Sequence, residues 1–124
     1  MPNVFVYGTL KGGNKIRGLH STNGADFVGS ATTTEAAFDL SSLGHFPAAE
    51  LHGEYRIKGE VWSVDDDTMQ QLDRIEGYPD FYNRAEVMTT RGKAWMYYID
   101  NIDEYNRDYN QDITQTGDTL EWQQ

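Results

Sequence analysis

Cysteine is absent from this 124-residue chain, so neither a disulfide framework nor a thiol nucleophile is available to it. No run of about 18 apolar residues occurs, which excludes a membrane-spanning helix. Positive charge is scarce. Ten Lys and Arg stand against twenty Asp and Glu, and the net charge of −10 argues against a nucleic-acid partner, which needs a basic face. Lys11, Lys15 and Arg17 do cluster, either as a solvated loop or as an electrostatic lip for an anionic substrate. The Met-Pro start has no basic region and no cleavage signal, the pattern of a cytoplasmic protein. His20, His45 and His52 are scattered, without metal-ligand spacing. Ser41, Ser42 and Ser63 lack the context of a nucleophile elbow.

What is present begins with a short apolar strand. Asn3-Val4-Phe5-Val6-Tyr7 runs into Gly8-Thr9-Leu10-Lys11-Gly12-Gly13-Asn14, which reads as a central strand ending at a binding loop. Gly8 admits backbone geometry that a side chain forbids and lets the loop lie close to a ligand. N–H groups exposed in such a turn can hold a carboxylate or an oxyanion. The loop is not a nucleotide-binding one. Asn14 stands between Gly13 and Lys15, and Ile16 occupies the place that needs Ser or Thr.

The length suits one domain over residues 1–124 with a core of its own. Strands are expected at 4–7, 27–38 (broken near Gly29 and Ser30, with a short strand at 38–40), 58–64, 82–89 and 93–99. Thr90-Arg91-Gly92-Lys93 makes a hairpin with Gly92 at positive φ. One helix is well marked. Asp65, Asp66 and Asp67 supply the N-cap and the first-turn acids, and Gly77 with Pro79 ends it. Residues 101–124 form a polar, acidic C-terminal segment, with a closing strand at 113–122 bent at Gly117-Asp118.

On a helical wheel Met69, Leu72 and Ile75 form one apolar face, and Glu76 falls only about 40° from its centre. Asp73 lies about 100° away, at the edge. Glu76 therefore breaks the pattern by facing inward. Burial and the negative end of the helix dipole both disfavour its ionised form, which suits a proton shuttle near neutral pH. An ion pair with Arg84, or a cap on a backbone N–H, explains the same placement structurally. Tyr82 and Arg84 are two apart and share a face; each either addresses a ligand or is an ordinary half-buried aromatic and a surface charge. Tyr7 and Tyr98 carry the same two readings.

Taken in order, several short segments resemble the gamma-glutamylcyclotransferase-like superfamily, in particular its small branch with the gamma-glutamylamine cyclotransferases. They are Val6-Tyr7-Gly8-Thr9-Leu10-Lys11-Gly12, Gly44-His45-Phe46-Pro47-Ala48, Lys58-Gly59-Glu60-Val61-Trp62-Ser63-Val64, Leu72-Asp73-Arg74-Ile75-Glu76-Gly77-Tyr78, Tyr82-Asn83-Arg84 and Ala94-Trp95-Met96-Tyr97-Tyr98-Ile99. The resemblance implies an α+β fold, a small mixed β-barrel with short flanking helices. It further implies Glu76 as the acid–base catalyst and Tyr7, Gly8, Thr9 and Leu10 as substrate-binding residues; Tyr82 and Arg84 join the substrate-binding candidates through their shared strand face. The implied reaction converts a γ-glutamyl amine or related conjugate to 5-oxoproline and a free amine, without metal or cofactor.

The expected partner is a small γ-glutamyl substrate, with no nucleic acid and no membrane, on a monomer or weak homodimer. Lys11 replaces the Arg often found at that place in the family, and residues 101–124 carry no family motif. Two other readings stay open. One is a non-catalytic small-molecule-binding protein on the same fold. The other is an interaction protein acting through its acidic tail.

Overall fold

In the computed structural model the described residues are 2–8, 25–43, 47–100 and 113–122. Their sheet is built outward from β1 (Asn3–Val6), whose residues 4–6 are all buried. β1 lies between β4 (Pro47–Val64), antiparallel to it, and β6 (Gly92–Tyr98), parallel to it. A strand enclosed on both edges and both faces has no polar side to show, which is why it reads as an uninterrupted apolar run. β5 (Asn83–Thr89) pairs with β6, while β2 (Ala25–Thr32) and β3 (Phe38–Ser42) both pair with β4. β7 (Ile113–Thr116) and β8 (Thr119–Trp122) form a hairpin whose second strand runs parallel to β4 at Arg56 and Ile57. The path is β5-β6-β1-β4-β8-β7, with β2 and β3 attached to β4.

Side-chain alternation along β1 divides the interior in two. Val4 and Val6 join Trp62, Met69, Leu72, Tyr82, Tyr97 and Ile99 in the cluster beneath the helix. Phe5 and Tyr7 point the other way, into a cluster with Leu40, Ile57, Val61, Met96 and Leu120. The helix α1 (Asp66–Glu76) has Asp65 as its N-cap, accepting from Thr68 N at 2.7 Å. Gly77 takes φ 70° beyond its end, where Gly77 N donates to Arg74 O and Tyr78 N to Asp73 O. That pattern is a Schellman closure, which a residue with a Cβ opposes. No described helix is long and apolar enough to cross a membrane.

Several expectations need correction. The strands do not form a closed barrel among the described residues. Among the described residues the open edges of β2 and β5 meet at one ladder pair, Thr33–Thr89, and by hydrogen bonds that include Thr34 N on Met88 O, Thr90 N on Thr32 O and Arg91 Nε on Ser30 O. One helix lies among the described residues. β4 starts at Pro47, well before residue 58, because pairing with β3 holds a stretch whose own composition is poor strand material. β2 stops at Thr32, and its expected break is a bulge between Phe27 and Gly29. The closing strand expected at 113–122 is present as the β7–β8 hairpin, turned at Gly117-Asp118, with Leu120 and Trp122 buried. Gly92 and Gly117 do take positive φ at the two hairpins.

Candidate active site

Where β1 ends and α1 ends, the chain brings three tyrosines and Glu76 together. The Tyr7 hydroxyl donates to Tyr97 O at 2.7 Å and accepts from Ala49 N at 2.9 Å. The Tyr82 hydroxyl donates to Pro47 O at 2.7 Å, and Tyr82 N donates to Glu76 O at 3.2 Å. The Tyr97 hydroxyl donates to Asp73 at 2.7 Å. Ile99 N donates to Ala49 O at 3.1 Å. The first residues of β4 thus lie under hydrogen bonds from β1, from the turn after α1 and from the end of β6.

Electrostatics locate Glu76 among these groups. Burial pushes the hydroxyls of Tyr7, Tyr82 and Tyr97 well above the usual tyrosine range, and the negative charge of Glu76 raises each further. For Tyr97 the hydrogen bond to Asp73 and that carboxylate's charge act in the same direction, after burial. All three are therefore neutral donors within electrostatic reach of one carboxylate. The helix supplies that carboxylate from its buried side. Thr68, Met69 and Leu72 are its buried residues, and Glu76 lies on their side of the wheel and is half-buried. Ile75, expected in that face, is 51 % exposed. The buried stripe centres between Thr68 and Met69 rather than toward Ile75, which leaves the reading of Glu76 intact.

Gly8 is required by space rather than by φ. A Cβ there meets Pro47 Cγ at 2.8 Å and Cδ at 2.9 Å. Pro47 is thus a common wall, touching the loop entrance at Gly8 and receiving the Tyr82 hydroxyl. Thr9 and Leu10 lie outside the described residues, as do Lys11, Lys15, Arg17, His20 and His45. Tyr82 and Arg84 do turn to the same side. The guanidinium of Arg84 is engaged by Asp73, with Nη1 at 3.0 Å from each carboxylate oxygen. It also lies over the rings of Tyr78 and Trp95, at 4.7 and 5.0 Å from their centroids. Glu60 accepts from Trp62 Nε1 at 3.3 Å. Among the described residues no group of three or more His, Asp or Glu is placed to hold a metal ion.

Asp73, Tyr97 and Pro47 belong to this constellation and were not singled out from the sequence. The wheel put Asp73 at the edge of the apolar face, and an edge carboxylate beside a strand carrying Arg and Tyr is a pairing signal. For Tyr97 the signal is parity: it alternates with Trp95 and Ile99, the side of β6 that faces the helix.

A half-buried carboxylate within electrostatic reach of three buried tyrosine hydroxyls, beside a strand end and a glycine turn, sits in a small α+β fold of one sheet and one described helix. The family model described as "Gamma-glutamyl cyclotransferase, AIG2-like" matches residues 4–123, and the chain belongs to that family. It is 34% identical over 94 residues to the gamma-glutamylcyclotransferase family protein YtfP of Escherichia coli, covering 76% of this chain and 79% of that one. It is 39% identical over 94 residues to gamma-glutamylaminecyclotransferase B of Danio rerio, covering 70% of this chain and 49% of that one. Among solved structures it is similar to the uncharacterized protein PH0828 of Pyrococcus horikoshii, with a TM-score of 0.68, 28% identity and coverage of 88% and 86%. An AIG2-like protein of Mus musculus gives a TM-score of 0.66 at 28% identity, covering 79% of this chain and 76% of that one.

Proposed function

We propose that the protein is a cyclotransferase that converts a γ-glutamyl amine to 5-oxoproline and the free amine, with Glu76 as general acid and base. Family membership supports cyclotransferase-type activity, and the name of the Danio rerio relative supports an amine as leaving group. The observation that carries the reading is the inward carboxylate of Glu76, whose charge reaches the hydroxyls of Tyr7, Tyr82 and Tyr97 at the Tyr7–Gly8 exit of β1.

In this mechanism Glu76 takes a proton from the substrate α-ammonium, and the freed amine attacks the γ-carbonyl carbon. The bond from the α-nitrogen to that carbon forms, and the carbon's bond to the leaving nitrogen breaks. Of the three ammonium protons one stays on the lactam nitrogen and two end on the departing amine, so no water is consumed. Glu76 carries those protons between the two nitrogens. The backbone of the loop that opens at Gly8, through Thr9 and Leu10, grips the α-carboxylate or the developing oxyanion. Holding the amine against the carbonyl replaces a freely rotating chain by a reactive conformer, a large effect in intramolecular reactions. Tyr7 and Tyr82 shape the cleft with their rings, since their hydroxyls brace residues 47–49 of β4.

The test is product identity. Incubation with a panel of γ-glutamyl amines and γ-glutamyl dipeptides is expected to release 5-oxoproline and amine in equal amounts, fastest with the amines. Release of free glutamate would mean hydrolysis, and no release from any member would leave a binding protein on this fold.

A further inference from the structure

The end of α1 is held in place by a charged cluster whose members the proposed reaction does not consume. Asp73, three residues before Glu76, receives the Tyr97 hydroxyl at 2.7 Å and Arg84 Nη1 at 3.0 Å. Arg84 also lies over the rings of Tyr78 and Trp95. The Tyr97 carbonyl then accepts the Tyr7 hydroxyl at 2.7 Å. A continuous line therefore runs from Arg84 through Asp73 and Tyr97 to Tyr7, next to the glycine loop. A second line runs from Glu76 O through Tyr82 to Pro47, against which Gly8 packs. Together they fix the helix end that carries the carboxylate relative to the loop that receives the substrate.

Resting on the cyclotransferase reading of Glu76, we propose that Arg84, Asp73 and Tyr97 are positioning residues: they hold Glu76 against the Tyr7–Gly8 loop, and Arg84 acts through Asp73 rather than on the substrate. Charge and shape both favour this assignment. A guanidinium that holds a carboxylate through Nη1 and lies over two aromatic rings has its preferred partners already, and the compact ammonium of Lys lacks the planar group that lies over those rings. The pair also cancels the charge of Asp73 one helical turn from Glu76. The charge of Glu76 reaches Tyr7 just beyond β1, Tyr82 in the turn after α1 and Tyr97 on β6, and the Tyr97 hydroxyl is itself under the charges of Asp73 and Arg84.

The experiment follows the Glu76 carboxyl carbon by NMR across pH in the full ¹³C-labelled chain, assigned by its loss in Glu76→Gln. Arg84→Met leaves the Asp73 charge uncompensated and is expected to raise the Glu76 midpoint, whereas Asp73→Asn leaves Arg84 uncompensated and lowers it. Tyr97→Phe, which removes only a hydroxyl, is expected to shift the resonance. Kinetics on a γ-glutamyl amine supply the second readout. Arg84→Met and Tyr97→Phe should lower kcat roughly ten- to hundredfold with KM within about twofold, the double variant being no worse than the poorer single one. Arg84→Lys should recover only part of the loss. A raised KM at unchanged kcat for Arg84→Met would make Arg84 a substrate ligand and overturn the proposal. So would a Glu76 resonance and midpoint unmoved in all the folded variants. A wild-type protein that turns over nothing would contradict the cyclotransferase reading, while the resonance would still decide the positioning.

Discussion

At the residue scale, the site depends on a few atoms that cannot be enlarged or recharged. Gly8 is one. Its contact with the Pro47 ring leaves no room for a methyl group, so Gly8→Ala must push residues 47–49 away from the loop. We expect a loss of about 1–3 kcal/mol in chemical denaturation, and a fall in turnover that exceeds the loss of folded protein. An Ala variant with unchanged stability and rate would show that this packing is dispensable. Glu76 was readable because it departs from an apolar stripe, and such departures are where function or strain tends to concentrate. Asp73 was not readable in the same way. An edge carboxylate on an amphipathic helix is ordinary until its partners are known, and those partners, Arg84 and Tyr97, arrive from two later strands.

At the scale of elements, α1 was legible nearly to the residue, since its signals are local: Asp65 before the first turn and Gly77 after the last. β1 was legible for a different reason, because full enclosure leaves only apolar residues along it. β4 was half legible. Residues 58–64 alternate as a strand should, but residues 47–57 are held by β3 and β8, and no local signal announces a partner. The β7–β8 hairpin showed in Gly117-Asp118, whereas its parallel docking on β4 could not. The helix face itself is testable. Leu72, fully buried, should cost about 2–5 kcal/mol as Leu72→Ala, and Ile75→Ala, at an exposed position, roughly 0.5 kcal/mol or less. Urea unfolding of the two variants measures this, and equal losses would place Ile75 inside after all.

At the scale of the whole molecule, the buried tyrosines tie folding to alkaline pH. Tyr7, Tyr82 and Tyr97 keep their protons in the folded chain at pH values where free tyrosine loses them, chiefly because burial penalises the phenolate. Above roughly pH 10 the unfolded chain releases these protons and the folded chain retains them, so the unfolded state binds fewer and stability falls as pH rises. Below that pH the contribution is fully present. With three such groups the slope approaches about 4 kcal/mol per pH unit. Tyrosinate absorbance during an alkaline titration should show some of the eight tyrosines ionising only together with unfolding. All eight titrating in the folded protein would contradict that burial. The fold itself shares this economy of parts: one curled sheet and one described helix bring β1, the α1 end and the first residues of β4 to a single place.

The most direct measurement compares 5-oxoproline release by the wild-type protein and by Glu76→Gln, with far-UV circular dichroism to show that both are folded. The proposed mechanism predicts steady release of 5-oxoproline with a γ-glutamyl amine from the wild type, and a loss of about 10²–10⁴-fold in rate for Glu76→Gln. Equal rates from both proteins would contradict it, and the proton transfer would have to be carried by another group.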